Sequence, residues 1–392
     1  AYTAVCFNVL GDKVASVGAF PDFMLTVWNW KQEQITLRSK AFAQEVFNVS
    51  FSPRTDGLLV TSGMVHIRFW KMANTFTGLK LQGQIGKFGR TELSDVAGYV
   101  EFPDGKVLSG SEWGNLLLWE GGFIKCEIAR PSGKTCHQGP VEAMLIVDET
   151  GDVATAGADG YVRVWDFETL DGADRPHDSP YFTMDPQYER RLAPDAHVRS
   201  MCKSLELGAE DAETVYYAQD VRGRMWRVDL SPSPTTRPPS LLAKFHAGAI
   251  TGLATSPSHH LAASCGTDGQ VRVYDYVQRK VACAWRSEEL PHVSCRSIAW
   301  ANTAADPQAR TLFVGGSDGV VRQLRLSSAQ QLVLTQVKKP FKGSVDFVTL
   351  TPDGRRLCVV SNDPSSIDAL LAGRSEHNAT DATSASDSGS SG

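Results

Sequence analysis

No apolar run in this 392-residue sequence approaches the ~18 residues that a membrane-crossing helix needs. Nor is there a dense block of lysine and arginine. The 39 basic residues are scattered among 44 acidic ones for a net charge of -5, which argues against nucleic acid or an anionic membrane as partner. The eight cysteines (Cys6, Cys126, Cys136, Cys202, Cys265, Cys283, Cys295 and Cys358) form no CxxC pair and no zinc-ligand spacing. Most fall in or beside apolar strand patterns, where a thiol acts as a small hydrophobe; reduced, intracellular cysteines are expected. The N-terminus, Ala-Tyr-Thr-Ala-Val, has neither the basic n-region nor the apolar h-region of a signal peptide. It lacks Met and starts inside a strand pattern, as a piece of a longer chain would. Without a secretory signal, the sequons at Asn48-Val49-Ser50 and Asn378-Ala379-Thr380 are expected to be chance matches.

Catalytic motifs are missing as well. There is no GxSxG and no HExxH, and Gly83-Gln-Ile-Gly-Lys87 lacks the Gly-Lys-Ser/Thr ending and strand-to-helix setting of a phosphate loop. His259-His260 stands at an offset no metal motif uses and reads as a pair of solvated turn histidines. No catalytic residue, cofactor or metal is therefore expected, and the expected partners are proteins rather than nucleic acid or membrane.

What is present is a repeat. One copy runs Pro140-Val-Glu-Ala-Met-Leu-Ile-Val, Asp152-Val-Ala-Thr-Ala-Gly, Asp159-Gly-Tyr-Val-Arg-Val-Trp-Asp166. Another runs Ala249-Ile-Thr-Gly-Leu-Ala-Thr-Ser-Pro257, Leu261-Ala-Ala-Ser-Cys-Gly, Asp268-Gly-Gln-Val-Arg-Val-Tyr-Asp275. Further copies end at Trp28, Trp70, Trp119 and Trp226, a seventh contains Asp318-Gly319 with Gln323 in place of the aromatic, and a partial eighth spans 345–361. The step between copies ranges from 42 residues (Trp28 to Trp70) to 61 (Trp165 to Trp226), at or above the usual length of this repeat class.

Each copy reads as an apolar strand, a small-residue strand, an Asp-Gly turn, an alternating strand ending in an aromatic, and an outer strand. Four short strands per copy describe a propeller blade. Asp159-Gly160, Asp268-Gly269 and Asp318-Gly319 supply the positive φ of a tight turn. Trp70, Trp119, Trp165, Trp226 and Tyr274 are placed to fill the space between blades. This is the WD-repeat pattern, although only Trp165-Asp166 keeps the full dipeptide. His137 and His246 take the place of its Gly-His pair and are read as structural hydrogen-bonding residues rather than ligands or catalysts. The expected fold is an all-β WD40 propeller of about seven four-stranded blades over 1–344. Residues 345–371 form a partial repeat that closes the ring or starts a second propeller, and 372–392, rich in Ser, Ala, Thr and Asp, a disordered tail or linker.

Three segments break the rhythm. Residues 74–94, with Lys80, Lys87 and Arg90, read as a polar crossing between blades, and Ser231–Pro239 as a Pro-rich connector. Residues 171–196 read as a long inter-blade loop or, with Tyr181, Phe182, Met184 and Tyr188 as anchors, a partner-contact loop.

The non-repetitive stretches are more particular. Phe69-Trp-Lys-Met-Ala-Asn-Thr-Phe-Thr-Gly-Leu-Lys-Leu-Gln-Gly83, the run from Gly98 to Gly122, and Asp159 to Asp171 resemble the axonemal family of WD-repeat cilia- and flagella-associated proteins. That resemblance implies a scaffold in the tether and tether-head complex, which ties inner-arm dynein motor domains to the doublet microtubule. The partners it implies are inner-arm dynein heavy chains, doublet microtubule components and a sister WD-repeat protein, cilia- and flagella-associated protein 43. It also implies a much longer protein with a second propeller and a coiled coil, and it carries over no catalytic residues. Two other readings stay open on the residues alone: a generic WD-repeat adaptor in trafficking or ubiquitin ligation, and a propeller enzyme that gathers its site from several blades.

Overall fold

The computed structural model describes residues 1–204, 214–233, 236–286 and 292–361. The chain divides into two compact units at Lys244/Phe245. Among the described residues they carry seven sheets of four or five short strands, of the WD40 β-propeller class, antiparallel except for one added strand.

The first unit holds five blades, spanning 2–40, 46–85, 99–129, 141–191 and 198–244. In blade 4 the small residues fall on the second strand, Val153–Gly157, and are fully buried, where a larger side chain would keep neighbouring sheets apart. The third strand then presents its closing tryptophan to the preceding blade. Trp70 packs among Leu25, Val27 and Leu37 of blade 1, Trp119 beside Val60 and Ile67 of blade 2, Trp165 among Leu116 and Leu118 of blade 3, and Trp226 with Val162 and Val164 of blade 4. Burying one such side chain contributes about 3 kcal/mol or more, so these residues tie blade to blade.

A bulge recurs next to that aromatic. The pairing of third and fourth strands slips between Val27 and Trp28, Leu118 and Trp119, and Met225 and Trp226. A bulge adds local twist and turns the indole inward.

Two departures correct the sequence reading. Residues 74–85 are not a crossing: His66–Thr75 and Gly78–Ile85 form one long hairpin, with Gly78 at φ +103 in its turn. The crossing proper is confined to 86–98.

The segment 171–196 is likewise more than a connector. After Trp165 the chain makes a five-residue helix, Phe167–Asp171, capped by the Asp166 carboxylate on Thr169 N–H. It then returns to blade 3, where strand Tyr181–Thr183 pairs in parallel with the outer strand Phe123–Ala129 and makes that sheet five-stranded. Only afterwards does Tyr188–Arg191 complete blade 4. A parallel partner requires a long crossover, which explains the length of the insertion. Lys106, nearly buried, clamps the helix end through Asp171 Oδ1 and its carbonyl, both at 2.8 Å.

The second unit holds blades 250–286 and 295–338, followed by a two-stranded hairpin, Phe347–Leu350 with Leu357–Val360. Val345 and Val348 pack against Val321 of the preceding blade. The tail 372–392, and residues 362–371 of the partial repeat, lie outside the described residues.

Candidate functional site

The polar groups singled out by the repeat converge on one recurrent arrangement. In blade 4, Trp165 Nε1 donates to Thr155 Oγ1 at 2.8 Å, and the same oxygen lies 2.8 Å from His137 Nε2. A hydroxyl that accepts from the indole has its own proton left to give, so it donates to Nε2 and leaves the imidazole proton on Nδ1. Nδ1 in turn meets Asp159 Oδ1 at 2.9 Å. The guanidinium of Arg163 lies 2.8 Å from the same nitrogen, but it carries only donors, and its partner is Asp159 Oδ2 at 2.7 Å. Asp159 also receives the Tyr161 and Gln138 backbone N–H groups, which fixes the turn.

His137 is 1% exposed, and burial holds its pKa below the ordinary histidine value, so it is neutral. Desolvation pushes Asp159 upward, but the His137 hydrogen bond and the Arg163 charge outweigh it and hold the carboxylate far below the usual range. Both ring nitrogens of His137 and both oxygens of Asp159 are engaged inside the blade. His137 thus contacts both Asp159 and Thr155 within the blade.

The other blades vary the set. In blade 6, His246 Nε2 meets Ser264 Oγ at 2.8 Å and Nδ1 meets Asp268 at 3.0 Å, while Tyr274, half-buried, stands where the indole would be. Trp28, Trp70 and Trp119 donate to Ser16, Thr61 and Ser109, each two residues past the tryptophan's cross-strand partner. In blade 5 that position is Asp220, which accepts from Trp226 Nε1 at 3.1 Å and from Arg224. In blade 2 the histidine's place, four residues before the first strand, is taken by Phe42, which stacks at 3.8 Å on the buried His66.

In blade 7, Asp318 caps its turn through Val320 N–H and pairs with Arg322. The residue six past the turn aspartate there is Leu324, fully buried and paired with Leu312, not Gln323. Gln323, the adjacent residue on the strand, is only partly buried, so the sequence reading of Gln323 at this position is corrected to Leu324. The i,i+4 Asp–Arg pairs at 159/163, 220/224 and 318/322 went unread, although the spacing is plain in the sequence.

The four insertion residues separate. Met184 is buried and Phe182 partly buried against the blade 3–4 core. Tyr188 packs on the blade 4–5 core, its hydroxyl donating to the Leu230 carbonyl at 2.5 Å. Tyr181 alone is open to solvent, at 39%.

Among the described residues no group of three or more His, Cys, Asp or Glu side chains is placed to hold a metal. The eight cysteines are unpaired, and burial pushes the Cys126, Cys136 and Cys295 thiols up to about 12, against thiolate chemistry. No helix in the described residues is long and apolar enough to cross a membrane.

Sheets of this type, with the indole–hydroxyl–imidazole–carboxylate set complete in blade 4 and varied in the others, define a WD-repeat protein. Residues 131–166 and 240–275 match the model of the WD domain, G-beta repeat. The chain is 43% identical over 93% of its length to cilia- and flagella-associated protein 44 of Mus musculus, and 43% identical over 93% to that of Chlamydomonas reinhardtii. It is 38% identical over 70% to that of Trypanosoma brucei brucei. The 77 kDa echinoderm microtubule-associated protein of Strongylocentrotus purpuratus is a more distant relative, 25% identical over 90% of the chain and covered to 45% of its own length. The chain is thus similar to cilia- and flagella-associated protein 44 over most of its own length and spans about a fifth of the length of the mouse and algal relatives, 20% in each case.

Proposed function

We propose that the chain is a non-enzymatic docking scaffold of the motile cilium or flagellum, resident in the axoneme. In this reading it is part of the tether and tether-head complex that links inner-arm dynein motor domains to the doublet microtubule, with a sister WD-repeat protein, cilia- and flagella-associated protein 43, as companion. Residues 1–344 supply its blades, and 345–371 begin a further, partial repeat. Residues 181, 182, 184 and 188 brace the frame, with Tyr181 alone facing outward.

The observation that carries the proposal is likeness across almost the whole chain, at 43% identity, to proteins named for cilia and flagella from an animal and an alga. Relatives named for microtubule association favour a cytoskeletal partner. The chemistry agrees: in blade 4 the buried groups of His137, Thr155, Asp159 and Trp165 are spent on one another, which suits a rigid frame whose business is contact.

Proximity labelling from the chain in ciliated cells tests this. Recovery of dynein heavy chains and tubulin is the expected result. Recovery of vesicle-coat or ubiquitin-ligase subunits in their place would make the chain a general adaptor.

A further inference from the structure

A groove of about 470 Å³ lies on the outer side of blade 3. Its walls are the 87–92 crossing, the outer strand Phe123–Ala129, and the approach to the added strand at 175–181. Four cations line it, Lys87, Arg90, Lys125 and Arg175, against two carboxylates, Glu92 and Glu127, so the lining carries +4 and -2 for a net +2. The chain as a whole carries -5.

The charges are also unevenly engaged. Glu127 already accepts from Trp113 Nε1 at 2.9 Å and from Asn115 Nδ2 at 2.8 Å. Lys125 has its carboxylate, Glu120, only at 3.9 Å. Among the described residues neither Arg90 nor Arg175 forms an ion pair. An arginine held at a groove with no partner keeps its full capacity for a bidentate carboxylate contact.

Apolar surface stands among these cations. Phe123 is 52% exposed with Lys87 Nζ 5.1 Å from its ring, and Tyr181 adds a second exposed ring. The edge strand itself is closed to a further strand at this point: Ser179 Oγ accepts from Tyr181 N–H and donates to Tyr181 C=O. A ligand here is recognised through side chains, not by strand addition.

We infer that this groove is a docking site for an acidic peptide segment of a partner protein, one in which glutamates or aspartates flank an apolar side chain. The cations take the carboxylates and the Phe123 and Tyr181 faces take the apolar group. A phosphate backbone fits less well, because a continuous run of phosphates would have to pass Glu92 and Glu127 while spaced carboxylates need not. The inference stands apart from the axonemal assignment, since it rests on the groove's own chemistry.

The test is fluorescence anisotropy on the 392-residue chain with a labelled Glu-rich peptide containing one tyrosine. Its Gln counterpart, a single-stranded oligonucleotide and phosphatidylserine vesicles serve as comparison probes. The Glu peptide should bind saturably and more weakly as salt is raised, while the Gln peptide should not bind. Arg90→Glu with Arg175→Glu should weaken binding by about tenfold or more, and the exposed Lys280→Glu in the second unit should leave it unchanged. Both arginines are exposed, so thermal unfolding should match the parent. Arg90→Gln with Arg175→Gln should give an intermediate loss. Absent peptide binding, binding indifferent to the charge reversal, or tighter binding to the oligonucleotide or vesicles would overturn the inference.

Discussion

The Trp165 indole and the His137 imidazole meet on a single hydroxyl, each 2.8 Å from Thr155 Oγ1. One small side chain thus satisfies two buried groups from different parts of the repeat. Replacing it with a shape match that lacks the oxygen, Thr155→Val, leaves a buried donor and a buried acceptor unpaired. The cost should be about 1–3 kcal/mol for each group left unsatisfied, read as a lower urea midpoint. A double-mutant cycle with Trp165→Phe should show strong coupling, and independent, additive effects would contradict the network.

The same burial makes stability depend on pH. His137 and His66 are both held below the ordinary histidine value of 6.5, by desolvation first, so both are neutral in the fold. The unfolded chain takes up protons below about pH 6.5 that these two positions refuse. Their contribution is present above that value and is lost as pH falls toward the folded pKa. The melting temperature should drop between about pH 7 and pH 5.5, and His137→Gln with His66→Leu should flatten the slope. A flat profile in the parent would contradict the buried neutral state. Asp159, depressed by His137 and Arg163 against its own desolvation, loses its contribution only further down, below the ordinary value of 3.8.

The insertion offers a third test. Met184→Ala should cost about 2–5 kcal/mol, because Met184 is 8% exposed inside the blade 3–4 core. Tyr181→Ala should stay within about 0.5 kcal/mol of the parent. Equal effects on chemical unfolding would mean that the segment is not built into the sheets as described.

Gly114 gives a fourth. Its φ is +98, and an added Cβ would stand 1.9 Å from the His137 carbonyl oxygen. Gly114→Ala should cost about 3 kcal/mol or more, visible as a lost or strongly lowered thermal transition. Gly121→Ala, also at positive φ but with nothing within 4 Å, should cost less.

Much of the frame was legible because it repeats. A tryptophan six residues past an aspartate, with small residues on the strand before, marks a blade by period alone, and the tight turns announce themselves as Asp-Gly. The helix capped by Asp166 and the three-residue strand Tyr181–Thr183 were not legible, since neither is long enough to establish a period and both sit among turn-forming residues. Leu324 was missed for a related reason: an alternating strand offers two adjacent residues, and only cross-strand register says which one faces the next blade. The groove on blade 3 draws its cations from positions 87–90, 125 and 175, which no linear reading joins. Polar residues that repeat with the blade are readable one copy at a time, whereas a surface assembled from insertions becomes visible only once the strands are paired.

The scaffold proposal is tested most directly by cryo-electron tomography of axonemes from cells lacking the protein, beside cells in which it is restored. The account predicts that density linking the inner-arm dynein heads to the doublet microtubule disappears without the protein and returns with it. An intact tether in its absence would contradict the account.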